Sequence, residues 1–143
     1  GRSVRINDEG IEQLRTLLSY QGIDLIVIDM PAYYIHLDEA FVPVDRNKIL
    51  VSTFILPHWF LHMLKERGYE LIETDREDPM LTNNCIALEP GKVLFSEKGV
   101  RTAKNLEKAG IDVIPVDISE INKLGGGIHC STLPLLRDSI QEG

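Results

Sequence analysis

Three glycines set the period of this chain. Gly22, Gly68 and Gly110 each stand between a helix-like segment and an apolar, β-branched run, and they are 46 and 42 residues apart. Residues 22–24 and 110–112 are the same tripeptide, Gly-Ile-Asp. Ahead of Gly68, residues 34–42 and 49–53 read as a hairpin around Pro43-Val44-Asp45-Arg46-Asn47. Residues 57–67 then read as a helix with Trp59, Phe60, Met63 and Leu64 on its apolar side, and residues 69–73 as a strand. The order recurs: residues 84–88 and 93–95 flank the turn Glu89-Pro90-Gly91-Lys92, residues 100–109 predict a helix and 111–116 a strand. Before both units lie a helix over residues 8–20, capped by Asn7 or Asp8, and an apolar strand over 23–30. The expectation is an α/β chain of two complete ββαβ units plus the back end of an earlier one. A unit that buries only part of its apolar surface needs neighbours. The alternative is an ordinary αβ sheet protein, but no Gly-rich phosphate loop follows any strand.

Composition narrows the partners. At 143 residues and 43% apolar content the chain suits a single domain, 1–143, that forms its core without staples. Two cysteines are too few for a disulfide framework and lack zinc-ligand spacing, so no metal or cofactor is expected and a reducing cytoplasm is the default compartment. A net charge of −7 argues against nucleic acid or an anionic membrane as partner. Residues 23–35, the most apolar stretch, are broken by Asp24, Asp29 and Pro31, far short of the ~20 residues of a membrane span. No secretory apolar region follows the first residues, and the missing initiator Met suggests a processed product or part of a longer chain.

The most unusual segment is Gly125-Gly126-Gly127-Ile128-His129-Cys130-Ser131-Thr132. Glycines allow close backbone approach, and here they lead directly to a cysteine, which is a nucleophile only as thiolate. The plain reading of a free cysteine is a small buried hydrophobe, and it suits Cys85 in Cys85-Ile86-Ala87-Leu88 better than Cys130. If residues 128–131 are a strand, His129 and Cys130 face apart and the base comes from elsewhere. His36 and Asp38, in Ile35-His36-Leu37-Asp38-Glu39-Ala40-Phe41, would share one face of a strand, placing a proton carrier beside an anionic binding group. A solvated edge strand explains the same pair. His58 and His62 lie four apart on a helix face but have no third ligand, so surface histidines are the preferred reading. A cysteine-phosphatase loop is excluded, because six residues rather than five separate Cys130 from Arg137 and they include Pro134 and no glycine.

Together, His36-Leu37-Asp38-Glu39-Ala40-Phe41 with Val44-Asp45, and Gly125-Gly126-Gly127-Ile128-His129-Cys130-Ser131-Thr132, resemble the guanidino-group-modifying enzymes. That superfamily comprises arginine deiminase, dimethylarginine dimethylaminohydrolase (dimethylargininase) and the amidinotransferases, with the pentein fold of five ββαβ modules. Gly1-Arg2-Ser3-Val4-Arg5 is similar to a Gly-x-Ser-x-Arg-Thr element of the family, with Ile6 in place of Thr.

The resemblance implies a partial propeller of about two to three modules, the C-terminal part of a pentein-type catalytic domain. Cys130 would attack the guanidinium carbon to form a covalent adduct. His36 would protonate the leaving amine and then activate water, and Asp38 would accept hydrogen bonds from the guanidinium. Arg5 would hold a substrate carboxylate. The implied function is a hydrolase of a guanidino compound such as arginine or a methylated arginine, and His-x-Asp leans toward the deiminase side. Amidinotransfer is the alternative, because His129 before Cys130 is similar to what those enzymes carry. A non-catalytic half-domain that binds a partner or ligand is the reading from another class. The family's N-terminal half supplies further carboxylates that no segment here matches, so self-association or an N-terminal half is the expected partner.

Overall fold

The computed structural model describes residues 1–137. Helix α1, Asp8–Ser19, starts where the Asn7 side chain accepts from Gly10 N. The first module follows as β1 (Phe41–Pro43), β2 (Lys48–Val51), α2 (His58–Glu66) and β3 (Glu70–Glu73). The second is β4 (Ile86–Glu89), β5 (Lys92–Ser96), α3 (Val100–Lys108) and β6 (Asp112–Val116), and a short α4 spans Ser119–Asn122. Each module is a three-stranded sheet in which a hairpin pairs antiparallel and the post-helix strand joins it in parallel: β1-β2-β3, then β4-β5-β6. Gly68 and Gly110 have φ of +82° and +80°, the left-handed conformation that ends a helix and turns the chain back along the sheet. The two ββαβ units expected from the repeat are therefore both present, at nearly the expected bounds.

Packing explains why the modules stay together. Along β2, Ile49 and Val51 point into a core with α2 residues Phe60 and Leu64, while Leu50 points the other way. That second core holds Val42, Ile72, Val93, Phe95 and Leu106, so the first sheet is covered by its own helix on one face and by the second module on the other. Helix α3 is held at both ends by the preceding module. The Asp78 carboxylate accepts from Thr102 N at 2.6 Å and Arg101 N at 3.2 Å, an anion at the helix N-terminus. At the other end Lys48 Nζ donates to Ala109 O at 2.5 Å, which places a cation on the C-terminal carbonyls.

Two expected strands differ. Residues 23–30 form no strand; among the described residues only the bridge between Arg2 and Asp29 pairs with them, with Arg2 N donating to Ile28 O and Met30 N to Arg2 O. An apolar run becomes a strand only where a partner offers a ladder. Arg2 fastens this segment by bridging Asp8 at 2.7 Å and Asp29 at 2.5 Å, and the Arg2 guanidinium holds the Asp29 carboxyl below the usual range. Within 34–42 the strand is confined to β1, because Leu37–Glu39 coils into a single 3₁₀ turn. Glu39 causes this: its Oε1 accepts from Ile35 N and His36 N, closing the chain into a turn before it can extend. No helix among the described residues is long and apolar enough to cross a membrane.

Candidate active site

The glycine-rich segment ends in a second 3₁₀ turn, His129–Ser131, rather than a strand. Alternation of faces therefore does not apply to His129 and Cys130, and the inference that His129 points away from the reacting group lapses with it. Ser131 Oγ donates to Gly127 O at 2.8 Å and Asn122 Nδ2 to Gly126 O at 2.9 Å, which pin the turn from both sides. Cys130 is exposed on this turn. His36 and Asp38 likewise sit on a turn and not on one face of a strand; His36 precedes the 3₁₀ turn and is exposed, whereas Asp38 is partly buried.

The two turns meet. Asp38 Oδ2 lies 2.9 Å from His129 Nδ1 and accepts from Asn84 Nδ2 at 2.9 Å. Asn84 Oδ1 in turn accepts from Cys130 N at 3.1 Å, and Asn84 O accepts from His129 N at 3.2 Å. Gly127 is a glycine for a steric reason, since a Cβ there would stand 2.3 Å from Asn84 Oδ1. Asp38 Oδ1 is buried and has no hydrogen-bond partner, an unmet acceptor on the side chain assigned to the guanidinium. The cluster thus offers a free thiol, an imidazole on a carboxylate, and a carboxylate oxygen in need of a donor.

Cys85 plays a different part. It is fully buried in the inter-module core, and burial pushes its thiol up to about 12, so it stays protonated at neutral pH. Arg5 is exposed and lines a separate cavity of about 610 Å³ between the N-terminal segment and α1, which Asp38, Asn84 and Cys130 do not line. His62 faces Glu66 at 3.4 Å on the outside of α2, and no group of three or more potential metal ligands occurs among the described residues.

Asn84 is the residue that sequence reasoning missed. Its partners lie 46 residues away in both directions, and the sequence counts it as the first residue of the strand expected over 84–88. The strand starts only at Ile86, and Asn84 lies on a turn before it: Leu81 takes a left-handed φ of 64° and its carbonyl accepts from Asn84 N at 2.9 Å.

The arginine deiminase family profile matches residues 56–137. Arginine deiminase of Mycoplasma capricolum is 26% identical over 150 residues, covering 82% of this chain and 37% of that protein. The structure of DDAH from Pseudomonas aeruginosa, solved as a cysteine-to-serine mutant complexed with citrulline, superposes with a TM-score of 0.73 at 26% identity, covering 91% of this chain and 48% of that one. SxtG, an amidinotransferase from Microseira wollei, shares the fold with a TM-score of 0.80 at 21% identity, covering 96% and 43%. The chain spans less than half the length of each of these relatives. With more than half of its residues inside the family profile, and its two ββαβ modules matching those of pentein structures, this chain belongs to the arginine deiminase family.

Proposed function

We propose that the chain carries the nucleophilic half of an enzyme that hydrolyses a guanidino compound, in the manner of arginine deiminase or dimethylargininase. The observation that supports this most directly is the buried, unpartnered Asp38 Oδ1 in a cluster that also holds the exposed Cys130. A planar cation with several N–H donors is the natural complement of such an oxygen. The chemistry then follows from the residues. The Cys130 thiolate adds to the guanidinium carbon, and the C–N bond to the leaving amine breaks as His36 gives that nitrogen a proton. Water, deprotonated by His36, adds to the resulting amidino-thioether carbon and expels the thiolate. Guanidinium and water become a ureido product and an ammonium ion, and Cys130 is regenerated. Asp38 accepts from the guanidinium N–H groups and keeps the planar group over the sulfur.

Arg5 would supply the cation for a substrate carboxylate on its separate wall. Residues 1–143 would form one domain, the C-terminal part of a pentein whose remaining modules come from an N-terminal half or a second copy. The exposed Leu14 and Leu17 on α1, with Ile23 after it, support a covered surface there. Amidinotransfer differs only in the acceptor, an amine in place of water, and would appear as a transferred amidino group.

The deciding experiment is intact-mass analysis after a haloacetamidine at neutral pH, followed by assays for ureido product with and without an added N-terminal half. Labelling confined to Cys130, slowed in Asp38→Ala and His36→Ala, with turnover of a guanidino compound, is the expected result. Equal, slow labelling of both cysteines and no turnover in either assay would leave only the non-catalytic half-domain.

A further inference from the structure

The reaction above assigns no work to Asn84, yet its side chain bonds both Asp38 and the backbone of Cys130 and is only 1% exposed. Its amide is oriented without ambiguity. Cys130 N is a donor and needs the oxygen, while the Asp38 carboxylate is an acceptor and needs the NH₂. One planar group therefore touches the backbone of the nucleophile on one side and the guanidinium-binding carboxylate on the other. Because that plane is rigid, displacing the nucleophile turn displaces the donor that aims Asp38. Its contact with Oδ2 also leaves Oδ1 as the unpaired oxygen.

Neighbouring Asn83 offers a control. It is also buried, accepts from Thr74 Oγ1, and makes no side-chain hydrogen bond to Asp38 or Cys130. Filling space does not distinguish the two; the identity of the partners does.

We propose that Asn84 is a positioning residue, one that sets the separation and orientation of Asp38 relative to Cys130 through a single amide. The inference rests on the proposed role of Asp38 as the guanidinium acceptor.

Alkylation of Cys130 in the full chain by a cationic haloacetamidine and by neutral iodoacetamide gives a ratio that reports cation preference independently of thiol accessibility. Asn84→Ala should lower that ratio about tenfold, the scale of one charge-assisted hydrogen bond. Asn83→Ala should lower thermal stability and leave the ratio unchanged. Asn84→Leu fills nearly the same space but makes neither hydrogen bond, so it should lower the ratio as far as Asn84→Ala does, an effect that lost packing does not explain and that stays readable even if Asn84→Ala fails to fold. If Asp38→Ala lowers the ratio while neither Asn84→Ala nor Asn84→Leu does, the inference is overturned and the reading of Asp38 stands. An unchanged ratio in Asp38→Ala overturns both.

Discussion

Asp38 Oδ2 and His129 Nδ1 stand 2.9 Å apart across 91 residues of chain, so the residue directly before Cys130, the proposed nucleophile, shares a hydrogen bond with the carboxylate proposed to hold the substrate cation. His129→Ala removes one of the two partners of Oδ2 and leaves Asn84 in place. A hydrogen bond to a charged group contributes about 1.5–3 kcal/mol, which translates into a loss of roughly tenfold to a hundredfold in kcat/KM for a guanidino substrate. Asp38→Ala should cost more than His129→Ala, since it removes the acceptor itself. Steady-state kinetics on the assembled enzyme would rank the two variants, and a reversed order would contradict the assignment.

The glycine triplet should respond to alanine unevenly, position by position. At Gly127 the added methyl meets Asn84 Oδ1 at 2.3 Å and Cγ at 2.7 Å, an overpacking that costs about 1–3 kcal/mol and displaces the turn that carries Cys130. Gly125 has open space but a φ of +78°, so Gly125→Ala pays about 1–2 kcal/mol in backbone strain alone. At Gly126 the nearest atom to an added Cβ is Ile121 Cγ2 at 3.4 Å, and Gly126→Ala should be the mildest of the three. Denaturant midpoints give the stability order, and iodoacetamide rates separate Gly127→Ala, which moves Cys130, from Gly125→Ala.

Alkaline stability should depend on Cys85. Its folded-state thiol is raised to about 12, whereas the unfolded thiol ionises near ~8.5. The unfolded chain thus releases a proton first, so this contribution is intact below the unfolded value and is lost as pH climbs toward the folded one. One proton corresponds to a slope of at most about 1.4 kcal/mol per pH unit in that window. Comparing the pH dependence of urea unfolding in the parent and in Cys85→Ala isolates it, because the variant lowers stability at neutral pH through lost packing but flattens the alkaline limb.

Leu106 is wholly buried between α3 and the first sheet, while Leu135 is 91% exposed. Leu106→Ala should therefore destabilise by about 2–5 kcal/mol. Leu135→Ser should stay within about 0.5 kcal/mol of the parent. Thermal melts read both, and a large effect at Leu135 would mean that a partner covers it.

What the sequence reveals here is what local chemistry determines. Both hairpins, all three longer helices and the strands that follow Gly68 and Gly110 are legible because turn residues, helix stops and apolar periodicity act over a few positions. The strand expected over 23–30 fails because pairing is not local. The extended reading of 34–42 overlooked a signal that was present: Glu39 lies three residues after His36, the spacing at which a carboxylate caps a turn. Cys130, Asp38 and His36 stand out by type and spacing. Asn84 does not, since an asparagine before a strand is ordinary until the residues 46 positions away on either side are known.

The inter-module placement of Asn84 also constrains how the protein matures. Asp38 precedes the first sheet, Asn84 lies between the two and Cys130 follows the second, so the hydrogen bonds joining them need both modules in place. Closing those long separations is slow compared with forming helices and hairpins. During refolding, helical signal should return before Cys130 acquires any preference for a cationic reagent, and the reagent then works as a clock for module docking rather than for secondary structure.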